Sequence, residues 1–260
     1  MFPSLYVPHG GGPCFFMEDP QGIWTGMSRF LASLPASLPE RPQAILIVSG
    51  HWETRGFALT GAVQPPLVYD YYGFPAHTYQ LRYDVPGAPV LAAHIAALLQ
   101  RAGFAAQVDP VRGLDHGVFV PLKVAFPDAT VPVVELSLDA GLDAALHLAA
   151  GRALAPLRAE GVLVMGAGMS FHNLRALGDP RLTVPSQQFD AWLDAAACAP
   201  AEQRASLLAR WQEAPAARLA HPRPEHLLPL MVAAGASDQP GRRIYAEEVL
   251  GTMIAGFAFD

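Results

Sequence analysis

The chain has 260 residues, 52% of them hydrophobic and 15% charged, which excludes a disordered or fibrous polypeptide and fits one core-rich globular domain over residues 1–260. Seventeen Lys+Arg against 23 Asp+Glu give a net charge of −6, and with no basic run this argues against nucleic acid or an anionic membrane as partner. Cys14 and Cys198 form no CxxC pair, no basic leader follows Met1 and no run approaches ~20 apolar residues, so a reduced, soluble, cytoplasmic chain is expected, monomeric or a small homo-oligomer.

In chain order, β-like apolar runs fall at Leu5–Val7, Ala44–Val48 and Phe57–Val63. A helix follows over Pro89–Leu99, with proline near its start and Gly103 past its end. A second helix is predicted from Val118, then a strand over Val131–Leu138, a helix over Leu142–Leu157 and a strand over Val162–Met165. Ala191–Ala205 reads as an ordinary surface helix, Glu225–Ala236 as an apolar one, and Thr252–Phe259 as a closing strand. Alternating strands and helices predict an α/β fold: a single domain with a mixed, centrally parallel sheet flanked by helices. Ala44–Val48 and Val162–Met165 are continuously apolar, as strands covered on both faces should be. The loop from Pro65 to Pro75, with Tyr71, Tyr72 and Phe74, suits the wall of a pocket.

Five histidines occupy punctuated settings: His9 before three glycines, His51 after Ser49-Gly50, His116 in Asp115-His116-Gly117, His172 in Ser170-Phe171-His172-Asn173, and His226 in Pro224-Glu225-His226. Histidine is the commonest metal ligand and the side chain best poised to move protons near neutral pH. Loops at strand ends are where open α/β sheets place their chemistry, so one metal site assembled there by the fold is expected. The rest, His77, His94, His147 and His221, are assigned structural roles, His94 and His147 on polar helix faces. His9-Gly10-Gly11-Gly12 is like an esterase oxyanion loop, but the nearest nucleophile elbow, Gly168-Met169-Ser170-Phe171-His172, lacks its last glycine. Gly166-Ala167-Gly168 is a broken dinucleotide fingerprint, with Phe171 where the third glycine belongs; its glycines are read as letting the strand turn sharply and aim His172 into a cleft. A histidine site without cysteine suits zinc or iron, and a facial set with open positions suits non-haem Fe(II) oxygen chemistry.

Taken together, these blocks resemble the 4,5-DOPA dioxygenase-type branch of the class III extradiol ring-cleavage dioxygenases. The similarity runs nearly end to end. It passes through His9–Pro13, Ser49-Gly50-His51-Trp52, Tyr69–Pro75, Tyr83–Pro89, Gly113–Gly117, His172-Asn173-Leu174, Pro224-Glu225-His226 and Thr252–Phe259. The resemblance implies one mononuclear Fe(II), with Zn(II) as a competing occupant in purified protein. It implies metal ligands at His9, His51, His172 and His226, and a substrate-facing acid/base histidine at His116. In more distant class III enzymes a glutamate completes the ligand set and the histidine matching His172 moves protons. Glu225 is therefore the alternative to His226, and acid/base work the alternative for His172. Many members read His-Gly-Ser-Pro where this chain has His9-Gly10-Gly11-Gly12-Pro13. The implied reaction cleaves a catechol-type, DOPA-like ring with O2 to a muconic semialdehyde, with Trp52, Tyr72 and Phe74 as candidate walls for the ring. A zinc hydrolase on the same histidines, or a non-enzymatic binding protein on the same fold, are the alternatives.

Overall fold

The computed structural model describes residues 1–176 and 178–260. Its eight strands are β1 (Ser4–Pro8), β2 (Ala44–Thr54), β3 (Phe57–Thr60), β4 (Ala106–Asp109), β5 (Val133–Asp139), β6 (Val162–Gly168), β7 (Gly241–Val249) and β8 (Thr252–Phe259). They form one sheet in the order β4-β3-β5-β2-β6-β1-β8-β7. The inner four, β5, β2, β6 and β1, are mutually parallel, while β8 joins β1 and β7 joins β8 antiparallel. The mixed, centrally parallel sheet expected from the sequence is the one found. No helix among the described residues is long and apolar enough to cross a membrane.

The central strands bury both faces because helices cover each side. These are α1 (Thr25–Ser37), α2 (Pro89–Arg101), α3 (His116–Ala125), α4 (Ala144–Leu154), α5 (Thr183–Ala197), α6 (Ala201–Ala209), the single turn α7 (Ala217–Ala220) and α8 (Leu228–Gly235). Every residue of α8 is buried, consistent with its uninterrupted apolar sequence. Gly166 and Gly168 show why. A Cβ at Gly166 would lie 2.2 Å from the Pro229 carbonyl oxygen, and one at Gly168 2.1 Å from that of His226. Neither has positive φ. The glycines of β6 therefore permit close approach of the segment entering α8, not the sharp turn expected from the sequence.

Other expectations need correction. His147 is not on a polar face but fully buried, its Nδ1 donating to the Asp143 carbonyl at 2.6 Å and its Nε2 accepting the Asp139 N–H at 3.2 Å. Ala191–Ala205 is no single surface helix. It breaks at Cys198–Pro200 between α5 and α6, and Leu193, Ala196 and Ala197 are buried where α5 packs on β8. The helix expected from Glu225 begins at Leu228, leaving His226 in the turn before it.

Candidate metal centre

Three adjacent parallel strands deliver the site. β1 ends at Pro8 and hands the chain to His9, whose N–H donates to the Gly168 carbonyl at the end of β6. His51 lies within β2 where its register against β5 slips between Val48 and Glu53, an irregularity of the kind that re-aims a side chain. β6 ends at Gly168 and leads through Met169–Phe171 to His172. His226 arrives from the turn before α8, its carbonyl accepting from the Tyr6 hydroxyl at 2.9 Å and the Met169 N–H at 3.2 Å. His116 is the first residue of α3, and its otherwise unpaired N–H donates to Asp70 Oδ1 at 3.0 Å.

His9, His51 and His226 each place a ring nitrogen within 4.8 Å of the others. His51 Nε2 and His226 Nε2 are 3.2 Å apart. Two nitrogens each about 2.0–2.1 Å from one ion would be separated by about 3.0–3.4 Å. The remaining nitrogens decide which atoms face inward. His9 Nδ1 donates to the Gly10 carbonyl at 2.8 Å, and its buried Nε2 has no hydrogen-bond partner. His226 Nδ1 donates to Glu225 Oε1 at 3.1 Å, and His51 Nδ1 lies 3.5 Å from Asp70 Oδ2. Each outer N–H thus meets an acceptor and each Nε2 lone pair points at the same space, the usual anatomy of a ligating histidine. These residues fit a divalent cation. Burial, followed by the charges of neighbouring histidines, holds the pKa of His9 and of His226 well below the ordinary value. Burial pushes His51 down to about 4. Neutral imidazoles keep the lone pairs a cation needs.

His172 does not join the other three as the four-histidine expectation has it. The His172 ring stacks on His226 with centroids 3.4 Å apart and planes 15° from parallel. An imidazole coordinates through a lone pair in its own plane, so two stacked rings do not converge on one ion. His172 groups instead with Glu225 and His226, its Nδ1 3.4 Å from Glu225 Oε1. Glu225 sits behind both rings, and His226 occupies the inner position. His116 lies beside the three, its ring 4.0 Å from His51 and 5.7 Å from His9, its Nδ1 bonded to Asp70 Oδ1 at 2.8 Å. Burial opposes ionisation of Asp70, but the hydrogen bond and charge of His116 outweigh it and hold the carboxyl below its usual range. For Glu225 the same contest is won by His172 and Arg223.

A cavity of about 450 Å³ opens onto these groups. Tyr72 and Phe74 line it, as do Trp24, Tyr71, Met169 and Phe171. Trp52 does not: it follows His51 in an extended strand, points to the other side and is buried beneath the Arg112 guanidinium, 5.1 Å from the ring centroid. Sequence reasoning overlooked Asp70 as a site residue. The available signal was a single acid inside the aromatic run Tyr69–Phe74. It also overlooked the buried acids beneath the site. Asp115 Oδ1 accepts from the Ser49 hydroxyl at 2.8 Å, and Glu135 Oε2 accepts the Asp115 N–H at 3.1 Å. Burial and the Asp115 charge raise the Glu135 pKa well above normal, favouring its neutral form.

A family model described as the catalytic LigB subunit of aromatic ring-opening dioxygenase matches residues 5–258. The chain is 40% identical over 242 residues to the 4,5-DOPA dioxygenase extradiol of Beta vulgaris, an alignment covering 91% of this chain and 87% of that protein. It is 37% identical over 242 residues to the protein of the same name from Escherichia coli K12, covering 91% and 85%. It is 38% identical over 275 residues to the dioxygenase tasH of Hapsidospora irregularis, covering 97% and 83%. Among solved structures, the uncharacterized protein JW3007 of Escherichia coli K12 superposes with a TM-score of 0.79 at 30% identity, over all of both chains.

Proposed function

The chain belongs to the LigB family of aromatic ring-opening dioxygenases and is an extradiol ring-opening enzyme, and from that premise we propose that residues 1–260 form one iron-dependent catalytic domain that opens a catechol-type ring with O2. The observation that supports this reading is the inward convergence of three histidine Nε2 atoms whose Nδ1 sides are each turned to an acceptor. His9, His51 and His226 would hold Fe(II), which when bound supplies neighbouring coordination positions for the two substrate oxygens and O2. Catechol hydroxyls bound there would lie beside His116, whose ring is 4.0 Å from that of His51. With its Nδ1–H given to Asp70, His116 presents Nε2 as the base that takes a hydroxyl proton, and Asp70 stabilises the imidazolium. The same imidazolium can return that proton to a substrate oxygen, with Asp70 still holding its Nδ1 side. His172 also lines the cavity, with its Nδ1 3.4 Å from Glu225 Oε1. Tyr72 and Phe74 flank the space left for the flat ring. The ring carbon–carbon bond beside the diol opens, and the catechol supplies the four electrons that reduce O2. One oxygen atom enters the new carboxylate and the other the new aldehyde, giving a muconic semialdehyde.

Anaerobic loading with Fe(II), followed by catechol and air, is the direct test. Stoichiometric O2 uptake with a yellow product absorbing in the near-visible is expected. Equal turnover with Zn(II), or product without O2 consumption, would sink the iron dioxygenase reading.

A further inference from the structure

Beneath the histidines a buried chain of polar groups joins β2 to α3. Asp115 is the N-cap of α3, where an aspartate side chain ordinarily accepts an N–H of its own first turn. Here it caps nothing. Its Oδ1 instead takes the Ser49 hydroxyl of β2 at 2.8 Å, and the Ser49 oxygen in turn accepts the N–H of His51 at 3.1 Å. From behind, Glu135 of β5 accepts the Asp115 N–H at 3.1 Å, while its own N–H is given to the Thr60 hydroxyl of β3 at 2.9 Å. Ser49, Asp115 and Glu135 are all fully buried. Carboxyl groups are costly to bury unless bonded, and the bond Asp115 makes is to the strand that carries His51, not to its own helix.

The two ends of this bracket carry two rings that the chemistry needs side by side. Ser49 stands two residues before His51, in the stretch where β2 slips register against β5. Asp115 directly precedes His116, the first residue of α3. The rings of His51 and His116 lie 4.0 Å apart, tilted by 50°. Gly117 lets the two segments meet: a Cβ there would sit 2.7 Å from both His51 Cδ2 and Ser49 Oγ. We propose that Asp115 and Ser49 are positioning residues for ring cleavage. Their bond ties the start of α3 to the irregular stretch of β2, and so sets the distance and tilt between the inward-facing ring of His51 and the proton-carrying ring of His116. Glu135 supports Asp115 from behind. This inference rests on the ring-cleavage reading above. None of the three lines the cavity, so they act through the histidines alone.

Two variants disturb the bracket by different routes. Ser49→Ala removes the bridging oxygen, whereas Gly117→Ala keeps every bonding group and inserts a methyl where α3 meets His51. Each is titrated with Co(II), whose visible bands report ligand geometry without turnover, then assayed with catechol at saturating Fe(II). Both variants should shift the Co(II) bands and bind Co(II) about tenfold more weakly, the lower end of what losing a ligand's supporting contact does. At saturating Fe(II), kcat should fall about 10–100-fold, since a displacement of about 1 Å can cost a factor of about 10² in rate. KM should stay near the parent value, because the cavity walls are untouched. A purely structural bracket would lower the melting temperature and nothing else. Parental Co(II) bands or a parental kcat in folded Ser49→Ala therefore overturn the proposal, and if that variant does not fold, Gly117→Ala decides by the same readouts. Catechol opening by the parent protein leaves the ring-cleavage reading standing in either case. A parent that neither binds Co(II) nor opens catechol defeats that reading, and the positioning role falls with it.

Discussion

Two carboxylates flank the histidine cluster, and each serves one inward-facing histidine and one neighbour. Asp70 divides its load: Oδ1 takes His116 Nδ1 at 2.8 Å, and Oδ2 faces His51 Nδ1 at 3.5 Å. Glu225 does not. Its Oε1 faces both His226, at 3.1 Å, and His172, at 3.4 Å, while its Oε2 is buried without a hydrogen-bond partner. The ring arrangement differs too, tilted by 50° for His51 and His116 but nearly parallel for His172 and His226. On the Asp70 side a proton can be taken up by His116 without loosening the grip on His51, because each ring has its own oxygen. On the Glu225 side the two rings compete for one oxygen, so that arm suits fixing His226 better than moving protons.

The sharpest break of this comparison is removal of an inward-facing ring. His51→Ala should lose both bound metal and detectable activity, because two histidines rarely retain a divalent ion that three held. His116→Ala should keep its metal and lose turnover by about 10²–10⁴-fold, the usual contribution of a general acid–base group. Metal analysis alongside O2 uptake on the two folded variants separates the roles. Iron loss in His116→Ala as complete as in His51→Ala would make His116 a ligand, and parental turnover would make it a turn residue.

A finer contrast comes from neutralising the carboxylates without changing their size. Glu225→Gln should weaken metal affinity by about 10–100-fold, the typical cost of losing a ligand's hydrogen-bond partner, yet keep kcat near the parent value once metal is saturating. Asp70→Asn should weaken metal affinity less, since its contact with His51 is the looser one, and lower kcat more, since the His116 imidazolium loses its counter-charge. Metal titration followed by kcat at saturation gives both numbers. Matching profiles for the two variants would mean the arms are equivalent.

Much of this arrangement was legible in the chain. The buried strands β1, β2, β6 and β8 announce themselves as apolar runs, because both of their faces or their core-facing sides admit little else. β7 was not visible: Arg242, Arg243, Glu247 and Glu248 make it read as a polar loop, although an edge strand need bury only part of one face. β4, four residues at the other edge with Gln107 and Asp109, carries too little pattern to register. The histidines stood out by their settings, but their division of labour depends on which nitrogen faces where, and that is set by partners far away in sequence. Asp70 lies 46 residues from His116. Trp52 was misplaced for a reason the sequence does contain: in an extended segment it cannot share a side with His51.

The smallest expected effect concerns the cavity wall. Phe74 is half-buried, edge-on to Tyr71 at 5.5 Å and packed against the backbone of Gly12. Phe74→Ala removes one flank of the space proposed for the substrate ring but touches none of the histidines proposed to hold metal. If the ring buries roughly 40–60 Å² against Phe74, at about 25 cal/mol per Å² the loss is about 1–1.5 kcal/mol. KM for a catechol should therefore rise about five- to tenfold, with metal content unchanged. Gly12→Ala approaches the same wall from behind. A methyl group there meets the Phe74 ring at 2.7 Å and imposes a side chain on a backbone with φ +55°, so the ring must move into the cavity. That variant should raise KM most for the bulkiest catechols and least for catechol itself, whereas Phe74→Ala should raise it for all. A size-independent rise in Gly12→Ala would mean that backbone strain, not the displaced ring, disturbs the site. An unchanged KM in Phe74→Ala would leave Phe74 only a packing role against Tyr71.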